Sequence, residues 1–252
     1  MIRVCVAGIT GWTGRAVADA IAAADDLELS CGVSRSDAAS FSSVAEALDA
    51  VEVDVLVDYT HASVVGTNVR AAIERRVGAV VGSSGLTAAD YEELDALARA
   101  RGVGVVAAGN FSLGAALLLR FAVEAARHFD TWEVIDYASA TKQDAPSGTT
   151  RELVERLEEV RRPNLAVPVA ETHGDRAARG ATVAGTQVHS LRLPTFVVST
   201  EVVFARAGER LSLRHDAGDT PEPYVVGTLV AIRSVGGHVG VTRGLDRLLD
   251  AS

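Results

Sequence analysis

Aromatic residues, cysteines, basic clusters and long apolar runs are all scarce in this chain. Aromatics make up 5 % of the 252 residues, so Ala, Val, Leu and Ile must build the core. The formal charge of −9 and the lack of a polybasic run argue against a nucleic-acid binder. Apolar residues at 48 % and charged residues at 23 % are typical of a globular protein. These values predict a soluble protein that handles small molecules.

The cysteine and hydropathy patterns limit the compartment and the metal chemistry. Cys5 and Cys31 lie in apolar, strand-like runs, and we expect two buried, reduced thiols. No ligand spacing joins them to the six histidines, so we expect no metal site. No stretch reaches ~18 uninterrupted apolar residues, and the chain opens directly into a strand. We therefore expect no membrane span, no signal peptide and a cytoplasmic location.

Strands and helices alternate through the first part of the chain. Apolar strands are predicted at 2–7, 27–33, 54–59, 78–81 and 103–107, with helical segments between them. This alternation predicts a Rossmann-like, doubly wound parallel sheet of the α/β class. Beyond it, helices are predicted at 113–128, 148–160 and 224–235, a strand at 132–139, and antiparallel-like alternation over 181–214. We expect a second, α+β domain with a mixed sheet over 110–221, and a return to the first domain (1–109) over 222–252.

A glycine-rich turn follows the first predicted strand and opens the first helix. Its sequence has the spacing GxxGxxG and consists of Gly8, Ile9, Thr10, Gly11, Trp12, Thr13 and Gly14. Small residues there let the backbone approach a pyrophosphate, which is bound by helix N–H groups. The turn therefore predicts dinucleotide binding, and the alternative interpretation is a tight turn with a structural role alone.

The end of the second strand indicates which dinucleotide is bound. A site that prefers NAD usually carries an acidic residue there, whereas this chain has Ser34 and Arg35. An arginine pairs with a 2′-phosphate, and the missing acid removes a repulsion. The sequence therefore favours NADPH, with NADH as the alternative cofactor and an exposed Arg35 without a role as the alternative interpretation.

The most specific motif is the run KxDAPSGT, from Lys142 to Thr149. It resembles the substrate motif of the dihydrodipicolinate reductase family. The same resemblance extends over nearly the whole chain, through the GxxGxxG turn and the runs Asp58-Tyr59-Thr60, Gly82-Ser83-Ser84-Gly85 and Asn110-Phe111-Ser112. We therefore identify the chain as a member of this family.

The resemblance implies an activity, an assembly and a set of site residues. Hydride would pass from the nicotinamide to a cyclic imine carboxylate, and the second domains would pack together in a homotetramer. Further cofactor contacts would come from Gly82, Ser83, Ser84, Ala108, Gly109, Asn110 and Phe111. The residues themselves agree, because Pro146-Ser147 predicts a helix start whose N–H groups suit a carboxylate. Substrate contacts would come from Ser139, Lys142, Ser147, Gly148 and Thr149, and the alternative interpretation is a plain N-cap.

The chain departs from the family pattern where that pattern has two consecutive histidines. Ala138 and Ser139 occupy these positions, and the first family histidine is the proposed acid/base residue. Three interpretations follow. The chain is a reductase redirected to another cyclic imine, which we favour here; or it is the lysine-pathway enzyme with Lys142 as the acid; or it is a non-catalytic, dinucleotide-binding regulator.

Overall fold

The computed structural model describes residues 1–37 and 40–249, and the chain divides into two compact units. The first unit comprises Met1–Leu113 and Thr220–Ser252, and the second comprises Gly114–Asp219. Residues 250–252, the end of the segment predicted to return to the first domain, lie outside the described residues. Among the described residues, no helix is long and apolar enough to cross a membrane.

The first unit contains a six-stranded parallel sheet with the order β11-β5-β4-β3-β1-β2. The strands are β1 (Ile2–Ala7), β2 (Leu27–Val33), β3 (Val55–Asp58), β4 (Gly78–Val81), β5 (Gly104–Ala107) and β11 (Gly240–Arg243). The helices are α1 (Trp12–Ala22), α2 (Val44–Ala50), α3 (Val65–Glu74), α4 (Ala88–Arg101) and α7 (Glu222–Val235). A turn of 3-10 helix at Leu245–Leu248 follows β11.

Helices cover both faces of this sheet, which explains why its strands are apolar on both sides. Helix α1 packs beside α7, while α2, α3 and α4 pack in sequence as neighbours. Side chains of α3 and α4, such as Ile73 and Leu94, form one core with β4 and β5. The predicted doubly wound α/β class is confirmed.

The edge strand β11 is absent from the sequence-based predictions. It pairs in parallel with β5, from Gly240 opposite Gly104 to Arg243 opposite Ala107. Its four residues, Gly-Val-Thr-Arg, are too few to establish a periodicity. Its position is set by pairing with β5, a contact between residues distant in sequence.

The second unit contains a five-stranded mixed sheet with the order β10-β9-β6-β8-β7. The strands are β6 (Thr131–Ala138), β7 (Ala181–Val183), β8 (Thr186–Arg192), β9 (Val198–Arg206) and β10 (Glu209–Asp216), and the helices are α5 (Leu113–Ala125) and α6 (Gly148–Val160). Two turns of 3-10 helix, Val169–Glu171 and Arg176–Arg179, lie between α6 and β7. The mixed sheet is confirmed, and its parallel pair is β6 with β8.

Alternation along β6 gives this sheet one core face. Trp132, Val134, Asp136 and Ala138 are buried, while the residues between them are half-buried. Trp132 and Val134 pack with residues of α5, α6, β8 and β9, where Leu157 and Phe204 are fully buried. Asp136 is a charged residue in the core-facing register, and it therefore needs hydrogen-bond donors.

Helix α4 begins with a capping box. Thr87 is the N-cap; its hydroxyl accepts from the Asp90 N–H at 3.2 Å, and the Asp90 carboxylate accepts from the Thr87 N–H at 2.7 Å. These bonds satisfy two amides that the helix itself leaves without partners. The hydrogen bonds from Thr87 hold the pKa of Asp90 below its ordinary value.

We predict that Thr87→Ala destabilises the start of α4 by about 1 kcal/mol, because the cap is lost. Hydrogen exchange of the α4 amides measures the change, and Thr87→Ser, which retains the hydroxyl, should exchange as the wild type does. Equal protection in Thr87→Ala and the wild type would contradict a capping role.

Candidate active site

The glycines of the first turn are required by close backbone contacts. Gly8 has a φ of +82°, and a Cβ there would lie 2.3 Å from the carbonyl oxygen of Tyr59. A Cβ on Gly14 would lie 2.1 Å from the carbonyl oxygen of Gly8. Side chains at both positions are therefore excluded, and the start of α1 lies directly against β1 and the residue after β3. This backbone is the kind that admits a pyrophosphate.

The predicted cofactor residues all lie after the carboxyl ends of strands in the first unit. Strand β1 lies between β2 and β3, so the order of the strands reverses direction beside β1. Open α/β sheets bind ligands in the crevice at such a reversal. Gly8 donates to the Val33 carbonyl at 2.9 Å, and Tyr59 donates to the Ala7 carbonyl at 3.0 Å. The predicted cofactor residues thus share one edge of the sheet. They follow β1 (Gly8, Ile9, Thr10, Gly11, Trp12, Thr13), β2 (Ser34, Arg35), β4 (Gly82, Ser83, Ser84) and β5 (Ala108, Gly109, Asn110, Phe111).

Three hydroxyls form a cluster beside Arg35. The Thr10 oxygen lies 2.9 Å from that of Ser34 and 3.2 Å from that of Ser36, and the two serine oxygens are 3.0 Å apart. Thr10, Arg35 and Ser36 are exposed. Three hydroxyl donors and one arginine thus follow the end of β2. A phosphate bound there could accept hydrogen bonds from the hydroxyls and pair with the arginine. Ser36 was missed by the sequence analysis.

Asp58 connects the loops that follow β3 and β4. It is fully buried, and its Oδ1 accepts from the Thr60 N–H at 3.0 Å, the Thr60 hydroxyl at 2.7 Å and the Ser83 hydroxyl at 2.6 Å. Its Oδ2 accepts from the Asn68 amide at 2.8 Å. One carboxylate thus holds Ser83, a predicted cofactor residue, against the end of β3.

Tyr59 fills the space beside these loops. A Cβ on Gly82 would lie 2.2 Å from its ring, and its hydroxyl lies 2.6 Å from that of Thr228. Phe111 packs edge-on against the ring, with centroids 6.2 Å apart. Burial raises the pKa of Tyr59, so its hydroxyl stays protonated at neutral pH.

The predicted substrate residues lie in the second unit, after β6 and at the start of α6. The ammonium of Lys142 lies 2.8 Å from the carboxylate of Asp144, and the Lys142 N–H donates to the Ser139 carbonyl at 3.0 Å. The Ser139 hydroxyl lies 3.2 Å from that of Thr141. Ala138, at the position of the first family histidine, is fully buried.

Helix α6 begins where the sequence predicted, with Ser147 as its N-cap. The Ser147 hydroxyl accepts from the Thr150 N–H at 3.4 Å. Ser147 and Thr150 are buried, whereas Gly148 and Thr149 are partly exposed. The positive end of the helix dipole therefore meets solvent at Gly148 and Thr149, a few residues from the Lys142 charge.

Asp136 accepts hydrogen bonds from residues at the start of α6. Its Oδ2 accepts from the Ser147 N–H at 3.0 Å, and its Oδ1 accepts from the Thr150 hydroxyl at 3.1 Å. Arg192 donates to Oδ2 at 2.8 Å and to the Asp144 carbonyl at 2.7 Å. Burial raises the pKa of Asp136, but hydrogen bonds from Ser147 and Arg192 outweigh it and leave that pKa below its ordinary value.

None of the histidines stands in the motif from Lys142 to Thr149, and His61 and His189 contact residues of their own unit. His61 is exposed after β3, with its Nδ1 3.1 Å from the Ser63 hydroxyl. His189 lies 2.8 Å from Glu133, and burial lowers the pKa of His215. Within residues 1–37 and 40–249, no three His, Cys, Asp or Glu side chains are grouped as a metal site.

A parallel sheet with a glycine-rich first turn, accompanied by a mixed-sheet unit, defines a two-unit protein of the dinucleotide-binding class. The chain matches the family models "Dihydrodipicolinate reductase, N-terminus" over residues 2–111 and "Dihydrodipicolinate reductase, C-terminus" over residues 114–249. The chain therefore belongs to the dihydrodipicolinate reductase family, whose members are NAD(P)H-dependent oxidoreductases, and is an enzyme of that type.

Individual relatives agree over the full length. A 4-hydroxy-tetrahydrodipicolinate reductase of Mycolicibacterium smegmatis is 38 % identical over 252 residues, with all of both chains covered. One from Nocardia farcinica is 40 % identical, with 99 % of both chains covered. A dipicolinate-bound dihydrodipicolinate reductase from a Paenisporosarcina species is 26 % identical, with a TM-score of 0.81, and covers 98 % of this chain and 99 % of its own.

Asp136 and Arg192 were not predicted as site residues from the sequence, and Asp58 was given no role. A signal was available for both aspartates. Asp58 ends the apolar strand Val-Leu-Val-Asp, and Asp136 stands among the apolar residues at alternate positions of β6. A charged residue in such a position must be paired or hydrogen-bonded. The partner Arg192 is 56 residues away in the chain and gave no comparable signal.

We predict that Asp58→Ala destabilises the first unit by at least ~2 kcal/mol, because buried donors lose their acceptor. Urea unfolding should be followed by Trp12 fluorescence in a Trp132→Phe background, since Trp12 lies in the first unit. Asp58→Asn is the matched control and should lose less, because it keeps an acceptor for Thr60 and Ser83. A midpoint for Asp58→Ala equal to that of the wild type would show that the carboxylate is dispensable.

Proposed function

We propose that the protein is an NADPH-dependent 4-hydroxy-tetrahydrodipicolinate reductase that transfers hydride to a cyclic imine dicarboxylate. Relatives with that name match over the full chain, and this favours the lysine-pathway interpretation over the redirected-substrate interpretation preferred from sequence alone. The observation that carries the proposal is the start of α6, where Gly148 and Thr149 are partly exposed directly after the loop in which Lys142 pairs with Asp144.

In this proposal the first unit holds the cofactor. The turn from Gly8 to Thr13 suits a pyrophosphate, because it leads from β1 into the start of α1, whose N-cap Gly11 supplies no side-chain hydrogen bond to the first helix amides. Loop residues Gly82–Ser84 and 108–111 line the same sheet edge. The bound cofactor supplies hydride, and the role of the protein is to hold and orient it.

The preference for NADPH is supported by the hydroxyl cluster of Thr10, Ser34 and Ser36 beside Arg35. A 2′-phosphate would receive hydrogen bonds from the hydroxyls and a charge-assisted bond from the guanidinium. NADH has a hydroxyl there and gains less from a cation. NADH is therefore the weaker cofactor in this proposal.

We predict that Arg35→Ala raises the Kd for NADPH by ~10-fold or more, because a charge-assisted bond is lost, and leaves the Kd for NADH unchanged. Quenching of Trp12 fluorescence measures both, since Trp12 is exposed in the turn. Arg101→Ala, an exposed arginine at the end of α4, is the control. Unchanged NADPH affinity, or tighter NADH binding in the wild type, would contradict the proposal.

The second unit binds the substrate in this proposal. The start of α6, with Ser147, Gly148 and Thr149, receives one carboxylate, and Lys142 adds the positive charge. Ser139 borders the same loop. Reduction of a carbon–nitrogen double bond needs a proton on nitrogen, and Lys142 is the ammonium available to donate it where the family pattern has histidine.

We predict that Lys142→Ala lowers kcat/KM for 4-hydroxy-tetrahydrodipicolinate by ~100-fold or more, since both an acid and a charge are removed. The Kd for NADPH should stay within a factor of ~2 of the wild type, because Lys142 lies outside the predicted cofactor residues. Gln143→Ala, an exposed neighbour, should leave turnover unaltered. Turnover of Lys142→Ala close to that of the wild type would place the substrate elsewhere.

A second candidate function rests on Ala138 and Ser139. An imine that arrives protonated needs hydride alone, so a redirected reductase could dispense with the histidines. The retained α6 motif would then bind a different cyclic imino acid. This candidate makes the chain a divergent member of the family.

Restoring the histidines separates the candidates. For a lysine-pathway reductase that uses Lys142, we predict that Ala138→His with Ser139→His changes kcat/KM on 4-hydroxy-tetrahydrodipicolinate by less than ~10-fold. A gain of ~10²-fold or more, the contribution of a positioned acid, would favour redirection. Ala138 is fully buried, and overpacking there costs about 1–3 kcal/mol, so Ser139→His alone and a thermal melt accompany the pair.

We also propose that the protein is a cytoplasmic homotetramer that acts on a small carboxylate and binds neither nucleic acid nor membrane. The face of the second sheet opposite α5 and α6 carries half-buried apolar side chains, among them Ile135, Val203 and Ala205. A partner copy would cover them. Cys5 and Cys31 are free thiols, as a reducing compartment keeps them, although Cys31 is less buried than predicted.

A further inference from the structure

The proposed function places a substrate carboxylate at the start of α6, where the protein already has a carboxylate of its own. The Asp136 carboxylate accepts from the Ser147 N–H at 3.0 Å, so it lies at the positive end of α6. A substrate carboxylate at Gly148 and Thr149 would be one or two residues away. Two carboxylates this close repel each other unless a cation neutralises one of them.

Arg192 is placed to provide that neutralisation. Its Nη2 lies 2.8 Å from Asp136 Oδ2, and the two side chains are largely or fully buried, at 18 % and 0 % exposure. A buried ion pair of this kind is little screened by solvent. The negative charge of Asp136 would therefore already be neutralised when a substrate carboxylate binds at the start of α6.

The same guanidinium also fixes the loop that carries Lys142. Nη2 donates to the Asp144 carbonyl at 2.7 Å, and Nη1 donates to the Leu191 carbonyl at 2.9 Å. The loop residue that pairs with Lys142 is thereby tied to β8 and, through Asp136, to β6. One arginine thus connects the charge at α6 to the position of Lys142.

We propose that Arg192 is a positioning residue for substrate, which neutralises Asp136 and orders residues 142–147 so that the start of α6 accepts a dicarboxylate. This inference rests on the proposed function, because it takes the start of α6 as the carboxylate site. Arg192 acts through Asp136 and the loop, and it transfers neither hydride nor proton.

The test measures dipicolinate binding by calorimetry without cofactor, so that it is independent of turnover. Arg192→Gln should weaken binding by ~10-fold or more, equivalent to about 1.4 kcal/mol, because Asp136 is left uncompensated. Asp136→Asn combined with Arg192→Gln should recover at least half of that loss on a logarithmic scale, because the repelling charge is gone. A purely structural role predicts the opposite, since the double variant loses more contacts than the single one.

Two further variants serve as controls. Arg192→Lys keeps the charge and should bind dipicolinate more tightly than Arg192→Gln, even if the latter folds poorly. Arg179→Gln removes another arginine of the same unit, which pairs with Glu133, and should bind as the wild type does. Hydrogen exchange at Gly148 and Thr150 should rise in Arg192→Gln and not in Arg179→Gln.

The outcomes separate this inference from the proposed function. Equal dipicolinate affinity in the wild type and Arg192→Gln overturns the inference, and so does a double variant weaker than Arg192→Gln. A wild type that binds no dipicolinate also overturns it. A wild type that binds dipicolinate with the expected variant pattern, yet fails to reduce 4-hydroxy-tetrahydrodipicolinate, supports the inference and refutes the proposed function.

Discussion

A buried carboxylate in each unit must be surrounded by donors, and that requirement organises the candidate cofactor loops of the first unit and the candidate substrate loop of the second. Asp58 and Asp136 are each fully buried near the carboxyl end of a strand. A buried carboxylate is stable only where hydrogen bonds or an opposite charge replace its water. Each aspartate therefore binds residues of the adjoining loops, and those loops carry the residues predicted to contact ligands.

The two aspartates meet the requirement with different donors. The hydrogen bonds described for Asp58 come from the neutral groups of Thr60, Asn68 and Ser83. Asp136 receives neutral donors and the guanidinium of Arg192. In the proposed function this difference suits the carboxylate of the substrate at α6. A second anion is expected beside Asp136, and neutral donors would leave the full repulsion in place.

The linkage between Asp136 and stability has a defined sign. Its pKa lies below the ordinary value in the folded protein, so ionisation favours folding. The stabilisation is complete above the ordinary carboxyl pKa and is lost as the pH falls through the lowered value. Acid therefore weakens the helix start and the loop of Lys142 together.

The parts of the candidate site that depend on residues adjacent in the chain could be predicted from the sequence. The first turn and the start of α6 follow from local rules on glycine, proline and hydroxyl residues. Ser36, Arg192 and strand β11 depend on contacts between distant residues, such as Arg192 with Asp136. Local rules carry no information on such pairs, although an aspartate in an apolar strand does predict that some partner exists.

The charges at α6 bear directly on the substitution of the family histidines. Lys142 pairs with Asp144 and Arg192 pairs with Asp136, so these four side chains sum to zero before substrate binds. A dicarboxylate with a neutral imine adds two negative charges, whereas one with an iminium nitrogen adds one. An imidazolium at position 138, opposite Arg192 across β6 and β8, would offset one further negative charge. Ala138 leaves that charge to the helix dipole and to Lys142, which in the proposed function also supplies the proton for the ring nitrogen.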